Sequence, residues 1–314
     1  MMTPPPIAPD DPIAEAGRRL MAEELAIMQD HWPALRLSAD MTAVHETRKA
    51  IRRSLTLFQL FAPYFAPEML TPHRATLRGI MRRLAPCRDT AVLRLNLAAY
   101  NATAAAPLAG LALLWDERQV TTDARLCAYL GRKSIVHKLH RYTRLVTSPG
   151  MGLPKRSRKG APLLVRHALP ELLFARIAAV RAWGDRLPDL SPRQFHQLRI
   201  QFKELRYTLG FFEPLLVEIG AVNDLSRRIQ EHLGLLNDAS VGVELLADVK
   251  RYPDEAAAYE QFLRGELARL TAGFLPLYAE FDRPEVRRAL ALADDPYCTG
   301  AETRGLCRSY SAAA

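Results

Sequence analysis

The sequence predicts an all-α protein made of two related halves. Three observations carry that expectation. Apolar residues recur along most of the chain at the three- and four-residue spacing of helices, and no sustained alternation of period two suggests a sheet. A basic amphipathic stretch occurs twice: residues 44–61 read VHETRKAIRRSLTLFQLF, and residues 195–212 read FHQLRIQFKELRYTLGFF. A second block follows each copy in register, LAPCRD at 84–89 and LGLLND at 233–238.

Laid over each other, the copies align His45 with His196, Arg48 with Arg199, Arg52 with Lys203, and Leu55 with Arg206. A helix turns by about 100° per residue, so positions 0, +3 and +7 share a face. His45, Arg48 and Arg52 therefore form one cationic stripe, with Lys49 beside it. His196, Arg199 and Lys203 form the other, and Arg206 extends it by a turn. The second block adds Arg78 and Arg227, each six residues before the paired leucines Leu84 and Leu233. Duplicated helical halves commonly pack as two bundles about a pseudo-twofold axis. Stripes that face such an axis would bring their cations to one central groove.

The rest of the chain fits this plan in order. Residues 1–10 read as a tail and 11–30 as a helix. The first stripe helix runs from about Asp40 to Phe61. Thr71-Pro72 looks like a helix start, and Pro86 ends or restarts that helix. Helices follow at about 108–119 and 122–147. The latter carries a second basic row, Lys133, His137 and Arg141 with His140 and Arg144, in a region from Ala124 to Pro170 that has no Asp or Glu. Residues 148–162 form a basic Gly/Pro linker. The first half is thus 11–147 and the second 163–295, with a tail at 296–314. In the second half, Ser191-Pro192 starts the stripe helix, one or two helices surround Gly234, and Asp254 opens a long helix to about Phe281.

Composition narrows the function. The chain has 314 residues, 49% apolar and 25% charged, with a formal net charge of +9 and a pI of about 9.6. That excess attracts polyanions such as nucleic acid, an anionic membrane surface or polyphosphate, without choosing among them. Four scattered cysteines lack zinc-like spacing and read as thiols in a reducing cytoplasm. The N-terminus shows no secretory signal. The Ala-rich run 97–115 is interrupted by Asn101 and Pro107, so no membrane span is expected.

A histidine opening a basic helix as HxxR with Arg or Lys at +7, repeated about 150 residues on and followed each time by an L-x-x-x-x-D block, resembles the CHAD domain, the conserved histidine α-helical domain. The resemblance covers residues 11–295. It implies two four-helix bundles around a basic central groove, and binding of inorganic polyphosphate without catalysis or cofactor. It also implies a cytoplasmic protein, with association with polyphosphate or polyhydroxyalkanoate granules as in some members. Others are fused to a triphosphate-tunnel enzyme domain, which nothing in this sequence matches. The polyphosphate-binding residues expected on this basis are His45, Arg48, Lys49, Arg52, Arg78, Lys133, His137, Arg141, His196, Arg199, Lys203, Arg206 and Arg227. Leu55 departs from the pattern where Arg206 stands in the second copy, and Glu204 stands where the first copy has Arg53.

These residue types suit a flexible polyanion that has no bases to read. Arg grips two phosphate oxygens with a planar fork, Lys supplies a compact ammonium, and helices hold both at fixed spacing. Three other readings compete. Nucleic-acid binding would use the same surface, but aromatics interleave poorly with the basic rows. A His/Asp phosphohydrolase would need Asp89 and Asp238 as acid–base groups, whereas caps or partners of basic neighbours suit them better. A granule scaffold would dock other proteins. His137 and His140 have metal-ligand spacing but sit among cations, and His45-Glu46 does not continue as HExxH, so no metal is expected.

Overall fold

A computed structural model describes residues 7–153, 162–217 and 219–293. Among them are ten α-helices and no strand: α1 (Ile13–Ser38), α2 (Met41–Leu60), α3 (Pro67–Asn101), α4 (Ala109–Leu130), α5 (Lys133–Thr147), α6 (Val165–Arg181), α7 (Pro192–Phe212), α8 (Gly220–Leu246), α9 (Pro253–Phe281) and α10 (Pro284–Leu292). An isolated bridge joins Pro12 to Leu164. The all-α expectation holds. Most of the N-terminal tail, the basic core of the linker and the C-terminal tail lie outside the described residues.

The chain divides into two compact units. The α2 unit comprises residues 17–160 and 238–267. The α7 unit comprises 1–16, 161–237 and 268–314. The boundaries fall inside α1, α8 and α9, so they do not coincide with the two halves of the sequence repeat.

In the α2 unit, α2 starts where Asp40 accepts the Ala43 N–H at 2.9 Å, a side-chain cap on the first turn. Its apolar face buries Val44, Ile51 and Phe58, and α2 packs on α3, which packs on α4 and α5. Phe58 meets Tyr142 of α5 edge to face at 5.5 Å. At Gly17, α1 passes so close to the end of α2 that a Cβ would lie 2.4 Å from the Phe61 ring. A second cluster surrounds fully buried Trp115 with Leu93, Leu111, Tyr259 and Leu263.

Helix α3 departs from its expected bounds. It begins at Pro67, not at Thr71-Pro72, and runs unbroken through Pro72 and Pro86. Each internal proline removes one ladder hydrogen bond, a cost of about 3 kcal/mol. Burial of Leu77, Ile80, Leu84, Leu93 and Leu97 outweighs it. The α4/α5 break likewise falls at Gly131-Arg132 rather than near residue 120.

In the α7 unit, Ser191 and Gln194 form a capping box at the start of α7. Phe195 packs edge-on against Phe274 at 5.6 Å, and Phe202 against Phe281 at 5.2 Å. α7 also packs on α6.

One departure between the copies has a physical reason. In the α2 unit the Arg53 guanidinium on α2 donates to Glu24 of α1, whose side chain is 3% exposed. In the α7 unit, Arg176 of α6 donates to Glu204 of α7 at 2.8 Å. Glu204 stands where Arg53 stands in the repeat, and each pairs with the preceding helix. The ion pair is present in both copies with its polarity reversed.

His73 of α3 is buried beside Tyr142, with ring centroids 5.4 Å apart. Burial, then the nearby Arg141 charge, lowers its pKa to about 4. The unfolded chain therefore binds a proton at higher pH than the fold does. Stability is full above the ordinary histidine value of about 6.5 and falls as pH drops toward 4. The expected loss reaches about 3 kcal/mol. Urea titrations of His73→Leu should lack most of that acid dependence, and an unchanged pH profile would place it on another group.

Candidate functional site

In the α2 unit four expected residues, His45, Arg48, Lys49 and Arg52, lie near carboxylates. His45 lies on the second turn of α2, its side chain 57% exposed and Nε2 3.8 Å from Glu46 Oε1. Partial burial lowers its pKa, Glu46 works against that, and Arg88, Lys49 and Arg48 lower it further. Lys49 pairs with Glu46 at 3.3 Å. Asp89 of α3 is partly buried within electrostatic reach of Arg48, Asp238, Arg88 and Arg52. Desolvation raises its pKa, Arg48 opposes, Asp238 raises it again, and Arg88 and Arg52 oppose. Asp89 and Asp238 both sit inside helices, so the capping role weighed for them is corrected. They are the acidic partners of a basic cluster.

Four other expected residues of this unit, Arg78 on α3 and Lys133, His137 and Arg141 on α5, are exposed. Among the described residues none of the four has a carboxylate partner. Sequence reasoning passed over Arg88, because its counterpart in the repeat is the uncharged Asn237. It also passed over a cavity of about 340 Å³ lined by Gly79, Arg82, Arg83 and Tyr129. The Arg83 and Arg132 guanidiniums each lie 5.4 Å from the Tyr129 ring centroid, within cation–π range. Arg82, one helical turn past Arg78, was the available signal.

In the α7 unit the matching cations are more engaged. His196 Nδ1 lies 2.7 Å from Asn237 Oδ1, the position Arg88 holds in the other copy. Arg206 donates to Gln230 at 2.7 Å. Arg227 lies between Asp224 at 3.5 Å and Glu231 at 3.2 Å. Arg199 is half-buried. Lys203 is only 7% exposed, flanked by buried Phe202 and Leu205. The expectation that +7 lies on an open stripe is therefore corrected for α7: there the stripe turns into the packed side of the helix.

Two negative observations bound the chemistry. Among the described residues no group of three or more His, Cys, Asp or Glu could hold a metal ion, and no helix is long and apolar enough to cross a membrane. Cys87 is buried and donates to Asp123 at 2.8 Å. Burial pushes its thiol up to about 12, so it should resist alkylation by iodoacetamide in the native state.

A family model described as the CHAD domain matches residues 19–247. The crystal structure of the CHAD domain from the plant Ricinus communis is similar over 92% of this chain and 96% of that one, with a TM-score of 0.71 at 20% identity. PptA from Streptomyces chartreusis is similar over 87% of this chain and 100% of that one, with a TM-score of 0.64 at 14% identity. At such identities the structural likeness concerns the fold. No curated protein matches in sequence. The model match takes in the first histidine-headed basic helix, its counterpart α7 and both downstream aspartates, and on that match the chain belongs to the CHAD domain family.

Proposed function

We propose that the protein binds inorganic polyphosphate without hydrolysing it, using the basic rows of both units. The observation that carries this reading is a set of basic residues on the α2 unit. Arg78, Lys133, His137 and Arg141 are exposed and, among the described residues, have no carboxylate partner. A linear polyanion supplies many phosphates to such a surface, and each neutralised phosphate releases a counterion. The residues offered to the ligand are those of the sequence reading, with Lys203 the weakest because it is withdrawn from solvent.

His45 gives this reading a pH signature. Its pKa is lowered in the free protein, and an adjacent polyphosphate would raise it. Binding then takes up a proton, so affinity should rise as pH falls through the bound-state value toward the free one. Titration of fluorescent polyphosphate between pH 5.5 and 8 should show that slope in the wild type and a shallower one in His45→Gln. Identical slopes would remove His45 from the site. We further propose a cytoplasmic protein that gathers on polyphosphate or polyhydroxyalkanoate granules. A fluorescent fusion should lose its foci when polyphosphate synthesis is blocked, if polyphosphate is the anchor.

A further inference from the structure

We propose that a cavity of the α2 unit, between α1 and α5, binds a small amphiphilic carboxylate with a linear hydrocarbon tail. The cavity holds about 240 Å³ and opens to solvent. Its floor is hydrocarbon: Met28, Ile51 and Ile80 are buried there, and Trp32, Val136 and Leu139 complete the walls. The charged or titratable groups lining it are Arg36 and His140. Both are exposed, and among the described residues neither has a hydrogen-bond or ion-pair partner. Pro33 also lines the cavity.

The chemistry of the occupant follows from that lining. An apolar cavity of about 150 Å³ admits benzene, so one of 240 Å³ has room for a tail of roughly eight to ten carbons. A positive rim with no acid of its own selects an anionic head over a neutral or cationic one. A polyphosphate chain has no hydrocarbon to bury, so this site is separate from the basic rows. His140, grouped with the α5 row by spacing alone, belongs to this cavity rim instead.

The test uses the full chain with decanoate as probe and decyltrimethylammonium as the control of opposite charge. Calorimetry and Trp32 fluorescence should report one decanoate per chain, with the cationic amphiphile bound at least about tenfold more weakly. Arg36→Ala, at an exposed position, should weaken decanoate by about tenfold. Val136→Trp should fill the cavity and abolish binding, with circular dichroism checking that its helices persist. Polyphosphate affinity should stay unchanged in both variants, which separates failure here from failure of the polyphosphate reading. Equal binding of the two amphiphiles, or decanoate binding that survives Val136→Trp, overturns the proposal. So does a dimer in sedimentation that Val136→Trp dissociates, because that would assign the cavity to a second copy of the chain.

Discussion

Reversing charge at Arg48 and Arg199 together is expected to lower affinity for long-chain polyphosphate by about a hundredfold or more, with a lowered unfolding midpoint because Arg48 offsets the partly buried Asp89. Arg48 lies in the Asp89 cluster of the α2 unit and Arg199 at the same repeat position of the α7 unit. Each reversal removes a cation and sets an anion against the ligand, so the effect exceeds that of an alanine. Both arginines are half-buried and engaged with neighbours, so Arg48→Gln and Arg199→Gln serve as the milder pair. In the Gln variants the salt dependence should flatten along with the affinity, by roughly one unit of slope for each phosphate no longer neutralised. Among the described residues the expected cations of the α2 unit include more without a carboxylate partner, so Arg48→Glu alone should cost more than Arg199→Glu alone. Fluorescence anisotropy on end-labelled polyphosphate reads all of these variants. Wild-type affinity in the double reversal would place the ligand elsewhere.

The largest stability effect is expected at Arg53. Its guanidinium is the hydrogen-bonded partner of Glu24, a carboxylate almost wholly removed from water. Burial already raises the Glu24 pKa, and Arg53 is the chief influence holding it down. Arg53→Met strands that carboxylate, and breaking such a pair costs about 3–5 kcal/mol. The sign of the pH dependence follows. In Arg53→Met the folded-state pKa of Glu24 climbs further above its unfolded value, so stability declines as pH rises through that window and partly recovers in acid. The α7 unit supplies the rescue, since Arg176 and Glu204 hold the same place with reversed polarity. Glu24→Arg with Arg53→Glu should restore most of the loss. Urea unfolding of the three proteins tests this. A single Arg53→Met cost below about 1 kcal/mol would show that the pair contributes little.

The parts of this molecule that were legible in its sequence are those governed by local rules. Helical periodicity places α2 between about Asp40 and Phe61, and Ser191-Pro192 places the start of α7. The repeat singles out His45 and His196 because identical spacing at two distant places is improbable by chance. Depth and tertiary choice were not legible. Periodicity gives Lys203 an angle on α7 but not its distance from solvent, which the aromatic packing around Phe202 decides. Prolines inside α3 read as breaks, because the burial that outweighs them comes from helices distant in sequence. Arg88 was missed because a repeat highlights what two copies share, and here one copy has Asn237. The stacking of Arg83 and Arg132 on Tyr129, and the apolar cavity beside His140, exist only once α1, α3, α4 and α5 are assembled. Compact units that divide α8 and α9 are invisible to a repeat, which reports ancestry of residues rather than their neighbours.

The measurement that bears most directly on the central claim is a salt series of polyphosphate binding with RNA and orthophosphate as competitors, run beside a phosphate-release assay. The account expects log affinity to fall linearly and steeply with log salt, RNA and orthophosphate to compete poorly at near-physiological salt, and no phosphate to be released. Binding that ignores salt, RNA that displaces polyphosphate at equal phosphate concentration, or steady release of phosphate would contradict it.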